Sequence, residues 1–210
     1  MAIPSKRYES AVVLTRLLQA GLVVQIAIAF ICGAVALVAF VTHKNVVMPE
    51  SIFAIYTSMT GILGLSPWPI LLVLAFWLYR VNRNSHGLTT YPMQFTPGWA
   101  VGWWVVPLAS LWQPYRIVSE LYNVNRDPSA WKSRKTALIV TVWWICSVTS
   151  LMGSVVMNLA AREAANPPFG FSAAVLFGLV LHQTLALVIY SRIAGWQVRA
   201  RTLGGIERVF

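Results

Sequence analysis

Between Leu17 and Val41 the chain carries no charged side chain. At about 1.5 Å of rise per residue, a helix of that length exceeds a hydrocarbon core of roughly 30 Å, and in lipid only helices or closed barrels satisfy their own backbone. Lys6, Arg7 and Arg16 precede the run as they would in a secretory signal, but the run is longer than a signal's apolar region. It reads as an uncleaved anchor with its N-terminal side in the cytoplasm.

Three further apolar stretches extend the pattern. Ile52 to Tyr79 is interrupted by Ser66-Pro67-Trp68-Pro69, where two prolines predict a kink or break, and it ends at Arg80, Val81, Asn82 and Arg83. Ala137 to Ala160 and Phe171 to Ala194 are spans of ordinary length, joined by an outer turn at Asn166, Pro167 and Pro168. Gly98 to Trp112 is apolar too, but short for a span and broken at Pro107. Were it to cross, the cations Arg116, Arg126, Lys132, Arg134 and Lys135 would move outside, against the usual charge bias.

The expected fold is therefore an all-α integral membrane protein forming one domain, 1–210, with spans near 17–42, 60–80, 137–160 and 171–194. A proline-broken re-entrant or interfacial element, near 97–123, lies on the cytoplasmic side. On this topology 14 of the 16 Lys and Arg residues are cytoplasmic, the exceptions being Lys44 and Arg162. The net charge of +10 then marks topology and contact with anionic lipid, and needs no nucleic acid to explain it. Composition agrees: 10% of residues are charged, against about 25% in soluble domains. Ten Trp residues suit the interface, where ring and N–H are both accommodated. The charge bias places both termini in the cytoplasm.

The most distinctive stretch is Phe95-Thr96-Pro97-Gly98-Trp99-Ala100-Val101-Gly102-Trp103-Trp104-Val105-Val106-Pro107-Leu108, continuing through Pro114, Tyr115 and Arg116 to Glu120. Thr96 suits a helix cap and Pro97 a first turn, while Gly98 and Gly102 offer a small-xxx-small face for another backbone. This stretch resembles the signature of the bacterial membrane family catalogued as domain of unknown function 4328. The resemblance extends to Trp77-Leu78-Tyr79-Arg80 with Asn82 and Asn84, and more loosely to the four-span plan. Leu121 and Tyr122 stand where such members tend to carry Trp. The resemblance implies a multi-span bacterial membrane protein and carries over no catalytic residue.

Candidate sites are few. His182 lies in the last span beside Gln183 and Thr184; an interhelical hydrogen bond to Gln25 or Ser147 is the preferred reading, and a ligand or proton-relay role the alternative. Arg116 and Glu120 are spaced for a surface ion pair. Arg80, Arg83 and Arg116 form a candidate lipid-phosphate or anion site around the broken element. Cys32 and Cys146 sit in apolar runs and read as small hydrophobes, with no metal site expected. The spans contain no Asp or Glu, which weighs against a proton- or cation-coupled transporter, and the motifs of soluble enzymes are missing.

The expectation is a non-enzymatic accessory or scaffolding subunit of a membrane assembly, whose partners are anionic lipids and other membrane subunits or copies of itself. A small channel or a lipid or small-solute carrier is the alternative. A redox component holding haem or quinone near His182 is the third.

Overall fold

The computed structural model describes residues 10–42, 49–163 and 169–206. Lys6, Arg7, His43, Lys44 and the turn at Asn166, Pro167 and Pro168 lie outside them. Among the described residues the chain is helical, with no strand: α1 (Val12–Thr42), α2 (Glu50–Leu65), α3 (Pro67–Ser85), α4 (Pro97–Gly102), α5 (Gln113–Arg126), α6 (Leu138–Glu163) and α7 (Phe169–Ile206). Four stretches are long and apolar enough to cross a membrane, namely Val12–Thr42, Glu50–Ser85, Leu138–Leu159 and Phe169–Thr202. The protein is a multi-pass helical membrane protein.

The Pro67 break is mild. Ser66 keeps helical dihedrals (φ −62, ψ −24) and its N–H bonds to the Ile62 carbonyl. Pro67 has no N–H for the Leu63 carbonyl, and the Ser66 hydroxyl donates there instead at 3.2 Å. Gln25 donates to the same hydroxyl at 2.7 Å. With its freed carbonyl satisfied locally, the chain passes from α2 into α3 with a single residue between them.

The described chain divides into two compact units. The first comprises Met1–Gln19, Leu71–Val142 and Leu187–Phe210, and so takes in α4, α5 and parts of α1, α3 and α7. Its core is built on Trp77, fully buried, whose indole N–H donates to Thr15 Oγ1 at 3.0 Å and whose ring lies 5.0 Å from that of Tyr190. Leu78, Val81, Ile117, Leu121, Ile189 and Ile193 are fully buried in the same unit. Here α5 is buried from Ile117 to Asn125, polar residues included. Burial of a helix so polar requires partners for its polar groups, and most find them, the Ser119 hydroxyl and Asn125 Oδ1 being exceptions among the described residues. Asn125 donates to Ser85 Oγ at 2.8 Å, Gln197 to Ser85 Oγ and the Val81 carbonyl, and Asn84 to Gln197.

The second unit, Ala20–Ile70 with Trp143–Ala186, is packed differently. Its core is Ala29, Cys32, Ala36, Tyr56, Leu63, Ala173 and Leu176. Small residues let backbones approach where no hydrophobic drive separates helix from lipid. A Cβ built on Gly153 falls 2.9 Å from Val175, and one on Gly170 falls 2.8 Å from the Phe40 ring. Edge-on ring pairs, Phe30 with Phe177 and Tyr56 with Phe169, fill the remaining space. Cys32 and Cys146 are both free thiols.

Candidate functional site: the broken element and its cations

The tryptophan-rich motif folds as a short helix, a tight reversal and a longer helix. Thr96 is extended ahead of α4 (φ −73, ψ 158) and Pro97 opens the helix. After Gly102 the backbone tightens to i→i+3 bonds, with Trp104 N–H to the Val101 carbonyl and Val105 N–H to that of Gly102. Leu108 then takes φ 63, ψ −53, and the Ala109 N–H reaches the Pro107 carbonyl at 2.7 Å, a γ-turn of the rare strained kind. A single 3-10 turn, Ala109–Leu111, leads to α5, which carries Pro114 in its first turn.

This geometry sorts the motif by face. Ala100, Ala109 and Pro114 are buried, while Trp99, Val105, Leu108, Leu111 and Trp112 are exposed. Trp99 and Trp103 are in ring contact at 4.8 Å. Among the described residues no other helix lies on the small-xxx-small face: a Cβ on Gly98 meets nothing within 4 Å, and Gly102 is covered by the Trp99 ring. Tyr115 exchanges a hydrogen bond with Thr141 at 3.3 Å, and the buried indole N–H of Trp104 has no partner among the described residues.

Glu120 is turned away from the ion pair its spacing suggests. Its two carboxylate oxygens accept the backbone N–H groups of Gln94 and Phe95, so α5 fastens the loop that leads into α4. Burial pushes its carboxyl above the usual range, opposed by those two amides and by the charges of His86 and Arg116. Arg116 instead reaches Gln113 and stands over the Phe95 ring. An ion pair does form between Asp127 and Arg134, two guanidinium nitrogens meeting one oxygen at 2.6 and 3.2 Å. The Arg134 bond, aided by the Ser129 hydroxyl, lowers the Asp127 carboxyl to about 2.

The three arginines of the candidate anion site fall into different surroundings. Arg80 donates to the Ser10 carbonyl at 3.2 Å and lines an apolar groove of about 450 Å³ with Leu72, Phe76, Tyr79 and Val101. Arg116 lines another hollow, of about 270 Å³, with Lys132, Arg134, Tyr115, Ser119 and Glu120. Arg83 lines neither of them. Sequence spacing gave no hint that Lys132 and Arg134 join Arg116, because a turn of irregular backbone brings them there.

His182 belongs to the second unit. Its ring stacks on Trp143 with centroids 6.1 Å apart, and its Nδ1 has no hydrogen-bond partner among the described residues. The partners anticipated for it are engaged elsewhere: Gln25 with Ser66, and Ser147 with the Trp143 carbonyl. Among the described residues no three His, Cys, Asp or Glu side chains gather as a metal-binding group.

What the broken element provides is an apolar outer face of aromatic and aliphatic side chains over a hydrogen-bonded polar interior, with cations at its edge. That chemistry suits holding a surface or an anion. No curated protein and no solved structure matches the chain. A family model described as a domain of unknown function, DUF4328, matches residues 55–200 of the 210, and the chain belongs to that family.

Proposed function

We propose that this protein is a non-enzymatic accessory or scaffolding subunit of a membrane assembly, seated in a bacterial inner membrane with both termini cytoplasmic. The observation that carries the reading is the outward side of α2. There Thr57, Ser58, Gly61 and Gly64 are exposed or half-exposed among Ile55, Ile62 and Leu65, and a Cβ added at Gly61 or Gly64 meets nothing within 4 Å. Small and hydroxylated residues gain little from lipid tails and much from a second helix laid against them. The orientation follows from the concentration of Lys and Arg in the loops assigned to the cytoplasm. In the same reading the element from α4 to α5 is interfacial, its exposed Trp99, Leu108 and Trp112 dipping into the inner leaflet.

The test is gentle extraction at native expression. A stable complex with another membrane protein, or with a second copy, is expected, and replacing Gly61 and Gly64 together by Leu should dissociate it. A strictly monomeric particle with no partner would sink the proposal. A carrier or channel reading draws less support, since the Ser66 hydroxyl and Gln25 occupy the kink where a pathway was anticipated. A haem-binding reading rests on His182 alone, and visible absorption of the purified protein decides it.

A further inference from the structure

A groove of about 370 Å³ lies in the first unit where α1 begins and α7 ends. Its walls are apolar, with Val12 on one helix and Ala194 and Val198 on the other, and its lining includes no acid. Arg16 and Arg199 both line it. Both are exposed, and neither guanidinium has a hydrogen bond or ion pair among the described residues. The polar groups beside them are committed inward: Gln19 donates to Ser191 at 2.8 Å, and Gln197 is held by Val81, Ser85 and Asn84. The two arginines are thus the uncommitted donors of the groove. Both lie near the ends of candidate spans, Val12–Thr42 and Phe169–Thr202, which is the depth of lipid headgroups.

We infer that this groove seats an anionic phospholipid of the adjoining leaflet, its phosphate between Arg16 and Arg199 and the start of an acyl chain along Val12, Ala194 and Val198. A guanidinium fork is suited to two phosphate oxygens, and two such forks with no carboxylate among the described lining residues favour an anionic over a zwitterionic head. The apolar walls favour a lipid over a soluble phosphate, which would gain nothing from them. Gly195 provides the room: it is exposed, and a Cβ built there meets nothing within 4 Å.

The test uses the full chain in nanodiscs containing phosphatidylglycerol and phosphatidylcholine, with native mass spectrometry reading the lipid that stays bound. Retention of phosphatidylglycerol over phosphatidylcholine is expected, falling roughly tenfold in Arg16→Gln/Arg199→Gln. Gly195→Leu keeps both charges but fills the groove, and should lower retention comparably while the helical circular dichroism is unchanged. It carries the test should the double variant fail to fold. Wild-type retention in either folded variant would overturn the inference. So would equal thermal stabilisation of the detergent-solubilised protein by inorganic phosphate and by phosphatidylglycerol.

Discussion

The two units are held together by opposite means. In the first, long polar side chains tie separated segments: Gln197 reaches back to α3, Asn125 crosses to Ser85, Glu120 secures the loop before α4, and Trp77 anchors to Thr15. In the second, closeness does the work, through alanines, Cys32, and the glycines Gly153 and Gly170, where a methyl would clash. The difference follows from solvent. Close packing is the main attraction available between helices in lipid, whereas a unit holding the polar loops must satisfy many hydrogen-bonding groups that burial would otherwise leave stranded. The first unit should therefore be sensitive to lost hydrogen bonds and the second to added volume.

The largest effect is expected at Trp77. Trp77→Ala removes a fully buried ring and strands Thr15, and should cost about 3–5 kcal/mol of unfolding free energy, measured by denaturant titration in mixed micelles. Trp77→Phe retains an aromatic ring beside Tyr190 and, like Ala, loses the N–H bond, so the difference between the two variants isolates the packing of the ring. If Phe proves as costly as Ala, packing is not the main contribution there.

Glu120→Ala comes next. It removes the acceptor of the amides of exposed Gln94 and buried Phe95, for about 1–3 kcal/mol, and should raise hydrogen exchange at those two positions and in α4. A loop as protected as in the native protein would show that Glu120 is not what fastens it.

In the second unit the matching probe adds volume. Gly153→Val drives a stiff branched side chain into Val175 and should cost about 1–3 kcal/mol, while Gly195→Val, in open space of the first unit, should leave stability within about 0.5 kcal/mol. Equal costs at the two glycines would break the contrast between the units.

Among the described residues of the first unit, Glu120 and Asp127 pull in opposite directions as pH changes. Glu120 is raised by burial, so the folded state holds its proton longer, and stability falls as pH rises from the ordinary value of 4.5 through the folded one. Asp127 is lowered from 3.8 to about 2 by Arg134, so its contribution is lost as pH falls through that interval. Asp127→Asn should flatten the acid limb of the stability profile and Glu120→Gln the limb above it. Unchanged limbs would place the titrations elsewhere.

How much of this was legible beforehand depended on which force shaped each part. Hydropathy identified the four apolar stretches because lipid acts on the composition of whole segments. The prolines announced the interruption that divides α2 from α3, but not its mildness, since how far a proline bends a helix depends on what replaces its missing bond, here the hydroxyl of Ser66. Burial of α5 was invisible because Asn123, Asn125 and Glu120 look like surface residues until the Arg134 carbonyl, Ser85 on α3 and the loop before α4 are in place. The Arg116 to Glu120 spacing failed for the same reason: two backbone amides, from a loop 25 and 26 residues away in sequence, outcompeted a side-chain neighbour. The motif itself was legible as chemistry, with a cap, a proline and aromatic bulk, but its division into a buried and an exposed face was set by one dihedral at Leu108.

That dihedral gives the smallest effect and the sharpest test of the reversal between α4 and α5. A leucine at φ 63 bears strain of about 1–3 kcal/mol, and glycine would relieve it while losing about 0.5–1 kcal/mol to the freedom of the unfolded chain. Leu108→Gly should therefore stabilise the first unit by about 1 kcal/mol, and Leu108→Val, branched at Cβ, should destabilise it. Leu108 is also among the most exposed apolar side chains of the motif, so in lipid its removal weakens whatever hold the element has on the bilayer. A gain in detergent unfolding together with weaker protection of Trp99 and Trp112 from aqueous quenchers in vesicles would show strain retained in exchange for anchorage. A loss of stability in detergent would mean instead that the γ-turn at Leu108 is not strained enough to matter.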